Sequence, residues 1–251
     1  MTGTLYGIGV GPGDPELITL KAHRILTSCP VVAYPAPDHG EAGIGESFAR
    51  SIVAHHIHAD QLEIPIVVPM KTERFPAREV YDHAAVEIGN HLKAGSDVCV
   101  LCEGDPFFYG SFMYLFERLA DGHRVEIVPG VSSLMASAAA LCQPLAARND
   151  VLTIIPAPLP DEVIMAALEN ADAVAILKVG RHLPRLRALI DSSGLLQSAF
   201  YLERIGLPEQ RVLPLAKVGE DAAPYFSMIQ IYKGAEDWIA ARTPIASGDG
   251  S

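Results

Sequence analysis

A short turn in the middle of the chain combines residue types that suit ligand binding. Leu101-Cys102-Glu103-Gly104-Asp105-Pro106 directly follows Asp97-Val98-Cys99-Val100, whose apolar and β-branched residues predict a buried strand that ends where Glu103 begins. In an open α/β sheet, ligands gather at the carboxyl ends of strands, and glycine and proline allow a tightly fixed backbone there. The stretch therefore predicts either a corner that holds a ligand or a plain strand-to-helix turn, in which these residues are common.

A second glycine-rich turn lies near the start of the chain. Gly11-Pro12-Gly13-Asp14 follows a predicted strand, Leu5 to Val10, and leads into a helix. This order suggests a dinucleotide site, but the G-x-G-x-x-G fingerprint fails because Pro12 replaces a plain residue and Gly13 comes too soon. The next predicted strand ends in Tyr34-Pro35, with no carboxylate for a ribose. The pattern therefore disfavours a nicotinamide cofactor.

A third turn, Pro129 to Ser133, follows the predicted strand Arg124 to Val128. Its two hydroxyls and its free backbone N–H groups suit a polar ligand group. Equally, Ser132 or Ser133 serves only to cap the helix that follows. Both interpretations place the turn at the carboxyl end of a strand.

Composition excludes several classes of protein. The 251 residues include 30 acidic and 19 basic side chains, and the net charge of −11 argues against a nucleic-acid backbone as the main partner. No apolar run approaches about 20 residues, so no membrane span is expected. The first residues lack a secretory signal, which makes the cytoplasm the expected location. Cys99 and Cys102 point to opposite faces of a strand, so we expect them to pack in the core rather than bind one metal.

Three closely spaced histidines, His55, His56 and His58, suggest a metal site. A helix end also favours histidine, and no Asp, Glu or Cys stands at an obvious ligand spacing. We therefore expect no metal.

Strands and helices alternate along the first half, with an edge strand at Ile64–Pro69 and an amphipathic helix from Pro76 to Lys93. In the second half, Arg211–Leu213 and Phe226–Tyr232 have no helix between them and are predicted to pair as antiparallel strands. The expected fold is two α/β domains, with a mostly parallel sheet in residues 1–143 and a mixed sheet in residues 144–244. Residues 245–251 are predicted to be a loose tail.

The three turns, in this order and spacing, resemble those of the tetrapyrrole methylases, a family of S-adenosylmethionine (SAM) enzymes with an active site in the cleft between two α/β domains. Further stretches resemble the branch that methylates precorrin-2 at carbon 20, giving precorrin-3A in cobalamin synthesis. They are Phe107 to Tyr114, Arg148-Asn149-Asp150, Lys178-Val179-Gly180-Arg181 and Pro224 to Met228. The resemblance implies methyl transfer to a tetrapyrrole and a homodimer.

The resemblance also implies residues for the SAM pocket. From the first domain these are Pro12, Gly104, Asp105, Phe108, Ser132 and Ser133, and from the second Ala157, Val179 and Gly206. Methyl transfer from a sulfonium mainly needs donor and acceptor to be aligned in a dry cleft, after which a proton must leave. Asp105 is ranked first as the acid involved, with Glu103, Tyr109, Lys178 or water as alternatives.

The substrate carries many carboxylates, whereas the chain is acidic, so a local basic lining is expected. The residues predicted to bind substrate are Arg148, Lys178, Arg181 and Arg204, with Arg185, Lys71 and Arg74 also plausible; each is alternatively a solvated surface charge. Other functions remain open: a cobalt-loaded substrate, a family member acting on RNA or protein, an NAD-dependent oxidoreductase, or a non-catalytic tetrapyrrole or metal carrier.

Overall fold

The computed structural model describes residues 2–40, 43–69, 75–219, 221, 223–234, 236 and 239. The chain divides into two compact units, the first ending at Ser133 and the second beginning at Leu134. This division comes earlier than the predicted domain boundary after residue 143, which stays a prediction. Lys71, Arg74 and the predicted tail 245–251 lie outside the described residues.

The first unit contains a five-stranded sheet whose order is β3-β2-β4-β1-β5. Every pairing in it is parallel, and β3 is an edge strand as predicted. Its strands are β1 (Thr4–Gly9), β2 (Val31–Asp38), β3 (Leu62–Pro69), β4 (Val98–Cys102) and β5 (Arg124–Val128). Because all five strands run the same way, the turns that follow β1, β4 and β5 meet at one edge of the sheet.

Helices cover both faces of this sheet. They are α1 (Leu20–Ser28), α2 (Phe48–Ile52), α3 (Phe75–Lys93) and α4 (Phe112–Leu119). Residues of α3 and α4 share one buried cluster with the sheet, and residues of α1 and α2 share the other. Ile88 and Leu92, one turn apart on α3, are fully buried, and each contributes about 2 kcal/mol through removal from water. A parallel sheet buried in this way explains why its strands are apolar on both sides.

The central strand β4 shows this two-sided burial most clearly. Val98, Val100 and Cys102 pack in the cluster of α3 and α4. Cys99 and Leu101 pack in the cluster of α1 and α2. The prediction that Cys99 and Cys102 face opposite sides and serve the core is therefore confirmed.

Ser111 stands at the N-cap of α4, but its side chain makes no capping hydrogen bond. Its backbone is already helical, and its hydroxyl instead interacts with the phenol of Tyr81.

The second unit contains a mixed five-stranded sheet of order β6-β7-β10-β8-β9. Its strands are β6 (Leu152–Pro156), β7 (Ala173–Leu177), β8 (Ala199–Glu203), β9 (Arg211–Pro214) and β10 (Ser227–Tyr232). The β6–β7 pairing is parallel, whereas β10 pairs antiparallel with both β7 and β8, and β9 pairs antiparallel with β8. The mixed sheet is confirmed. The predicted pairing of β9 with β10 is wrong, because β8 pairs with β9 through a short connection and β10 lies on its other side.

The helices of the second unit are α5 (Ser133–Leu141), which starts at the division, α6 (Asp161–Asn170) and α7 (Leu183–Ser192). Ile164 and Leu168 of α6 and Leu186 and Ile190 of α7 pack on one face of the sheet, around the fully buried Tyr201. Within the described residues, no helix combines the length and apolarity required to cross a bilayer.

Candidate functional site

The turns after β1 and β4 are joined through their backbones. The amide of Val10 donates to the carbonyl of Cys102 at 2.9 Å, and the amide of Gly104 donates to the carbonyl of Gly11 at 2.8 Å. Gly11 and Gly104 form an isolated antiparallel bridge, and both have positive φ, 87° and 63°. Glycine is the residue that adopts this conformation without strain, so both positions depend on it.

The turn after β5 approaches the same point so closely that no side chain fits. A Cβ on Gly9 would lie 2.6 Å from the Cα of Gly130, and a Cβ on Gly130 would lie 2.0 Å from the carbonyl oxygen of Gly104. We call Gly9, Gly11, Gly104 and Gly130 the glycine corner. Three strand ends therefore touch through bare backbone.

The carboxylate of Asp105 connects two of these turns. Its Oδ1 accepts the amide of Phe107 at 2.9 Å within its own turn, and its Oδ2 accepts the amide of Gly130 at 3.1 Å. Both oxygens are thus engaged with backbone, each by a charge-assisted hydrogen bond. This geometry gives Asp105 a structural role in the corner, whatever else it does.

Glu103 is the other acid at this edge. Burial raises the pKa of its carboxyl above the ordinary value, and hydrogen bonds from its own backbone amide and that of Ala49 in α2 partly offset the effect. A carboxylate whose pKa is raised toward neutrality is a better proton acceptor. Glu103 therefore has the electrostatics suited to the proton-removal step for which Asp105 was ranked first.

The remaining predicted pocket residues of the first unit lie at the same edge. Pro12 is buried beside the Gly11–Gly104 bridge, and Phe108 is half-buried, with its ring 5.1 Å edge-on to that of Tyr109. A Cβ on Gly104 would be in ordinary contact, 3.6 Å, with the Cα of Ser132. Ser133 begins α5. The structure thus brings together all six predicted residues of this unit.

In the second unit, the carboxyl ends of β7 and β8 also lie at one edge of the sheet. β7 and β8 run in the same direction with the antiparallel β10 between them, so their carboxyl ends lie about 10 Å apart. Lys178 follows β7 and Arg204 follows β8, and both have positive φ, 59° and 52°. A left-handed backbone costs a residue with a long side chain about 1 kcal/mol or more, and such strain concentrates at functional sites.

Arg181 lies in the turn after Lys178 and is exposed. We call Lys178, Arg181 and Arg204 the basic edge. Burial lowers the pKa of the neighbouring His182, and the positive charges of Arg185 and Arg181 lower it further. This shift agrees with a locally positive potential in a chain that is acidic as a whole.

Two other predicted arginines are placed differently. Arg185 donates to the carbonyl of Ala157, to the carbonyl of Leu159 at 3.1 Å and to the carboxylate of Asp161, so its guanidinium holds the turn after β6. Arg148 precedes β6 at the opposite edge of the sheet and pairs with Glu236 at 2.9 Å. The structure does not bring Arg148 together with the basic edge.

The predicted pocket residues of the second unit share the edge of Lys178 and Arg204. Ala157 is fully buried, and its amide donates to the carbonyl of Leu177 at 2.8 Å. Val179 is fully buried, and the amide of Gly206 donates to the side chain of Gln210 at 3.1 Å. All three follow the carboxyl ends of strands β6, β7 and β8.

Sequence reasoning missed a buried polar network beside this edge. Glu203 accepts hydrogen bonds from the hydroxyl of Tyr201 and, at 2.9 Å, from Arg211, and it is only 6% exposed. Opposite it on β10 lies Ser227, also buried. An acid that ends an otherwise apolar run, Ala199 to Leu202, is the signal that would have revealed the network.

No group of three or more potential metal ligands occurs in the described part of the chain. His56 packs edge-on against His23, with ring centroids 4.7 Å apart, and burial lowers its pKa. Of the three histidines, His56 thus has a packing role.

The fold is that of a known class. The family model of the tetrapyrrole (corrin/porphyrin) methylases matches residues 4–219, so the chain belongs to that family.

Curated relatives cover nearly the whole chain. The cobalamin biosynthesis protein CobIJ of Mycobacterium tuberculosis is 41% identical over 99% of this chain, which spans only 49% of that protein. The chain thus spans about half the length of these first relatives. The precorrin-2 C(20)-methyltransferase of Sinorhizobium sp is 37% identical, over 91% of this chain and 95% of that protein. The cobalt-precorrin-2 C(20)-methyltransferase of Salmonella typhimurium is 34% identical, over 93% and 98%.

Solved structures share the fold. Uroporphyrin-III C-methyltransferase of Thermus thermophilus, complexed with S-adenosylhomocysteine, has a TM-score of 0.65 at 24% identity, and the match covers 92% of each chain.

Proposed function

We propose that the chain transfers a methyl group from SAM to carbon 20 of precorrin-2, giving precorrin-3A in cobalamin synthesis. The observation that carries this proposal is the 37% identity to a precorrin-2 C(20)-methyltransferase along almost the full length of both chains. Family membership favours methyl transfer over an NAD-dependent oxidoreductase or a non-catalytic carrier. Cobalt-loaded substrate stays the nearest alternative, because a relative named for it is 34% identical.

The glycine corner supports a role in binding SAM. SAM supplies an electrophilic methyl group on a sulfonium. Backbone without side chains admits a ligand close to the strand ends, and the half-buried Ser132 and Ser133 provide hydroxyls there. We propose that Pro12, Gly104, Asp105, Phe108, Ser132 and Ser133 bind SAM, together with Ala157, Val179 and Gly206 of the second unit. The chain's task is then to align donor and acceptor and exclude water.

The basic edge supports recognition of a polycarboxylate. Lys178 and Arg204 project from strand ends about 10 Å apart, a spacing that allows two cations to reach carboxylates on different sides of a flat ring. Tyr225 and Phe226, whose side chains are exposed, immediately precede β10, the strand between β7 and β8. We propose that Lys178, Arg181 and Arg204 bind substrate carboxylates, and that Arg148 contributes from elsewhere.

The direct test is a product assay. The purified chain would be incubated with methyl-labelled SAM and with precorrin-2, metal-free or loaded with cobalt, and NMR would locate the label. We expect label at carbon 20, with the metal-free acceptor preferred. Bound pigment without labelled product would indicate a carrier, and label at another carbon would overturn the proposed position.

With Asp105 as the residue that assists proton removal, Asp105→Asn is expected to lower kcat by about 100-fold. Asp121→Asn, on an exposed turn, is the matched control and should leave kcat unchanged. If Asp105→Asn kept its kcat, Asp105 would be structural only, and Glu103 would replace it as the proton acceptor.

We further infer that the protein works as a homodimer in the cytoplasm, as its family resemblance implies. Light scattering on the purified protein tests the first statement, since a monomer mass at micromolar concentration would contradict it.

A further inference from the structure

Two segments of the second unit repeat one backbone pattern. Lys178-Val179-Gly180 follows β7 and Arg204-Ile205-Gly206 follows β8. In each, a basic residue and the glycine two positions later have positive φ: 59° and 41° in the first segment, 52° and 84° in the second. The strained conformations of the two basic residues persist only because their surroundings hold them.

A single dipeptide at the start of β10 holds both segments. The amide of Arg204 donates to the carbonyl of Phe226 at 3.0 Å, and the amide of Val179 donates to the carbonyl of Ser227 at 3.3 Å. The amide of Gly180 donates to the hydroxyl of Ser227 at 3.2 Å. Of these three contacts, the last is the one that depends on a side chain.

The hydroxyl of Ser227 is fixed in turn. It donates to the carbonyl of Pro224 at 2.6 Å, so it both donates and accepts. Ser227 is 6% exposed and pairs across the sheet with Glu203, whose carboxylate is held by Tyr201 and Arg211. Because the hydroxyl is buried, water cannot readily replace its hydrogen bonds, and its removal would leave the Gly180 amide poorly satisfied.

We propose that Ser227 is a positioning residue for substrate binding: its hydroxyl fixes the Val179–Gly180 backbone and thereby the direction of the Lys178 side chain. This inference rests on the proposed function, because it assigns Lys178 to a substrate carboxylate. Ser227 itself is buried in the sheet and acts through Lys178.

The experiment compares Ser227→Ala with Ser227→Thr, which retains the hydroxyl. Binding of uroporphyrin III, a stable tetrapyrrole polycarboxylate, would be measured by fluorescence, and binding of SAM by calorimetry. We expect Ser227→Ala to weaken tetrapyrrole binding about five- to tenfold, the value of one hydrogen bond. SAM affinity should fall by less, because only Val179 of its proposed pocket adjoins the loosened backbone. Ser227→Thr should restore tetrapyrrole binding. Ser193→Ala, which removes a hydroxyl hydrogen bond from the C-terminal end of α7, is the matched control and should change neither affinity.

A double-mutant cycle tests whether Ser227 acts through Lys178. In the Lys178→Ala background, Ser227→Ala should cost less than twofold in tetrapyrrole affinity, because the positioned side chain is gone. Additive losses would overturn the inference, and so would equal losses of SAM and tetrapyrrole affinity, which indicate general unfolding. Urea denaturation of each variant verifies the folded fraction. If the wild type bound no tetrapyrrole, the proposed function would fail and this inference with it. If the wild type bound tetrapyrrole and Ser227→Ala bound it with the same affinity, only this inference would fail.

Discussion

The two sheets end in edges that are kept in shape by opposite means. In the first unit, Gly9, Gly104 and Gly130 touch through backbone, and the turns keep their positions because nothing else fits between them. In the second unit, Lys178 and Arg204 keep strained conformations because the amides of Val179 and Arg204 donate hydrogen bonds to the carbonyls of Ser227 and Phe226. An atom added at the first edge should therefore destabilise the protein. At the second edge, substitutions that relieve backbone strain should raise stability and weaken substrate binding.

The largest expected effect comes from adding a methyl group to the glycine corner. Gly130→Ala would place its Cβ 2.0 Å from the carbonyl oxygen of Gly104, which neither turn can avoid without moving. We expect a loss of about 3 kcal/mol in the free energy of unfolding. Urea denaturation measures it.

Gly122→Ala is the matched control, since a Cβ at that position meets nothing within 4 Å. Its stability should change by less than about 1 kcal/mol. Equal stabilities of the two variants would show that the corner is not closely packed.

A moderate effect of the opposite sign is expected at the basic edge. Lys178→Gly and Arg204→Gly remove the strain of a left-handed backbone, so each should raise the free energy of unfolding by about 0.5–1 kcal/mol while weakening tetrapyrrole binding. Lys217→Gly, at an exposed position of the same unit where φ is not positive, should instead lower stability. If all three variants lost stability alike, Lys178 and Arg204 would not be strained.

The smallest effect concerns Glu103, the half-buried acid of the first edge. Burial raises the pKa of Glu103, so its contribution to stability is fully present below the unfolded pKa and is lost as pH rises through the folded pKa. Glu103→Gln should therefore match the wild type at pH 4 and become relatively more stable toward pH 7. Urea midpoints measured across this range test it, and a constant difference would contradict it.

Local patterns in the sequence predicted the parts of the fold that depend on local physics. The alternation of side-chain direction along β4 placed Cys99 and Cys102 on opposite faces, and the prolines of Ile64–Pro69 predicted an edge strand. The pairing of strands that are distant in sequence could not be predicted. β10 pairs with β7 and β8 rather than with β9, and hydrophobic periodicity gives no preference among these three partners.

The part of the candidate site that depends on glycine could be predicted from the sequence. The turns around Gly11, Gly104 and Gly130 carry their conformation in their residue type. Nothing in a lysine or an arginine signals positive φ, so the strain at Lys178 and Arg204 could not be predicted. Whether an arginine side chain can bind a substrate also depends on backbone carbonyls that approach it only in the folded unit. Arg185, for example, donates to the carbonyls of Ala157 and Leu159.

The position of β10 also bears on the order in which the second unit folds. The central strand of its sheet is the last of the described strands to leave the ribosome, so the β6–β7 and β8–β9 pairs must wait, unjoined, until residues 227–232 emerge. During that interval the facing edges of β7 and β8 are open to wrong partners, including those of other nascent chains. Slower synthesis after β9 would lengthen this exposure, whereas the parallel sheet of the first unit is complete once β5 has been made.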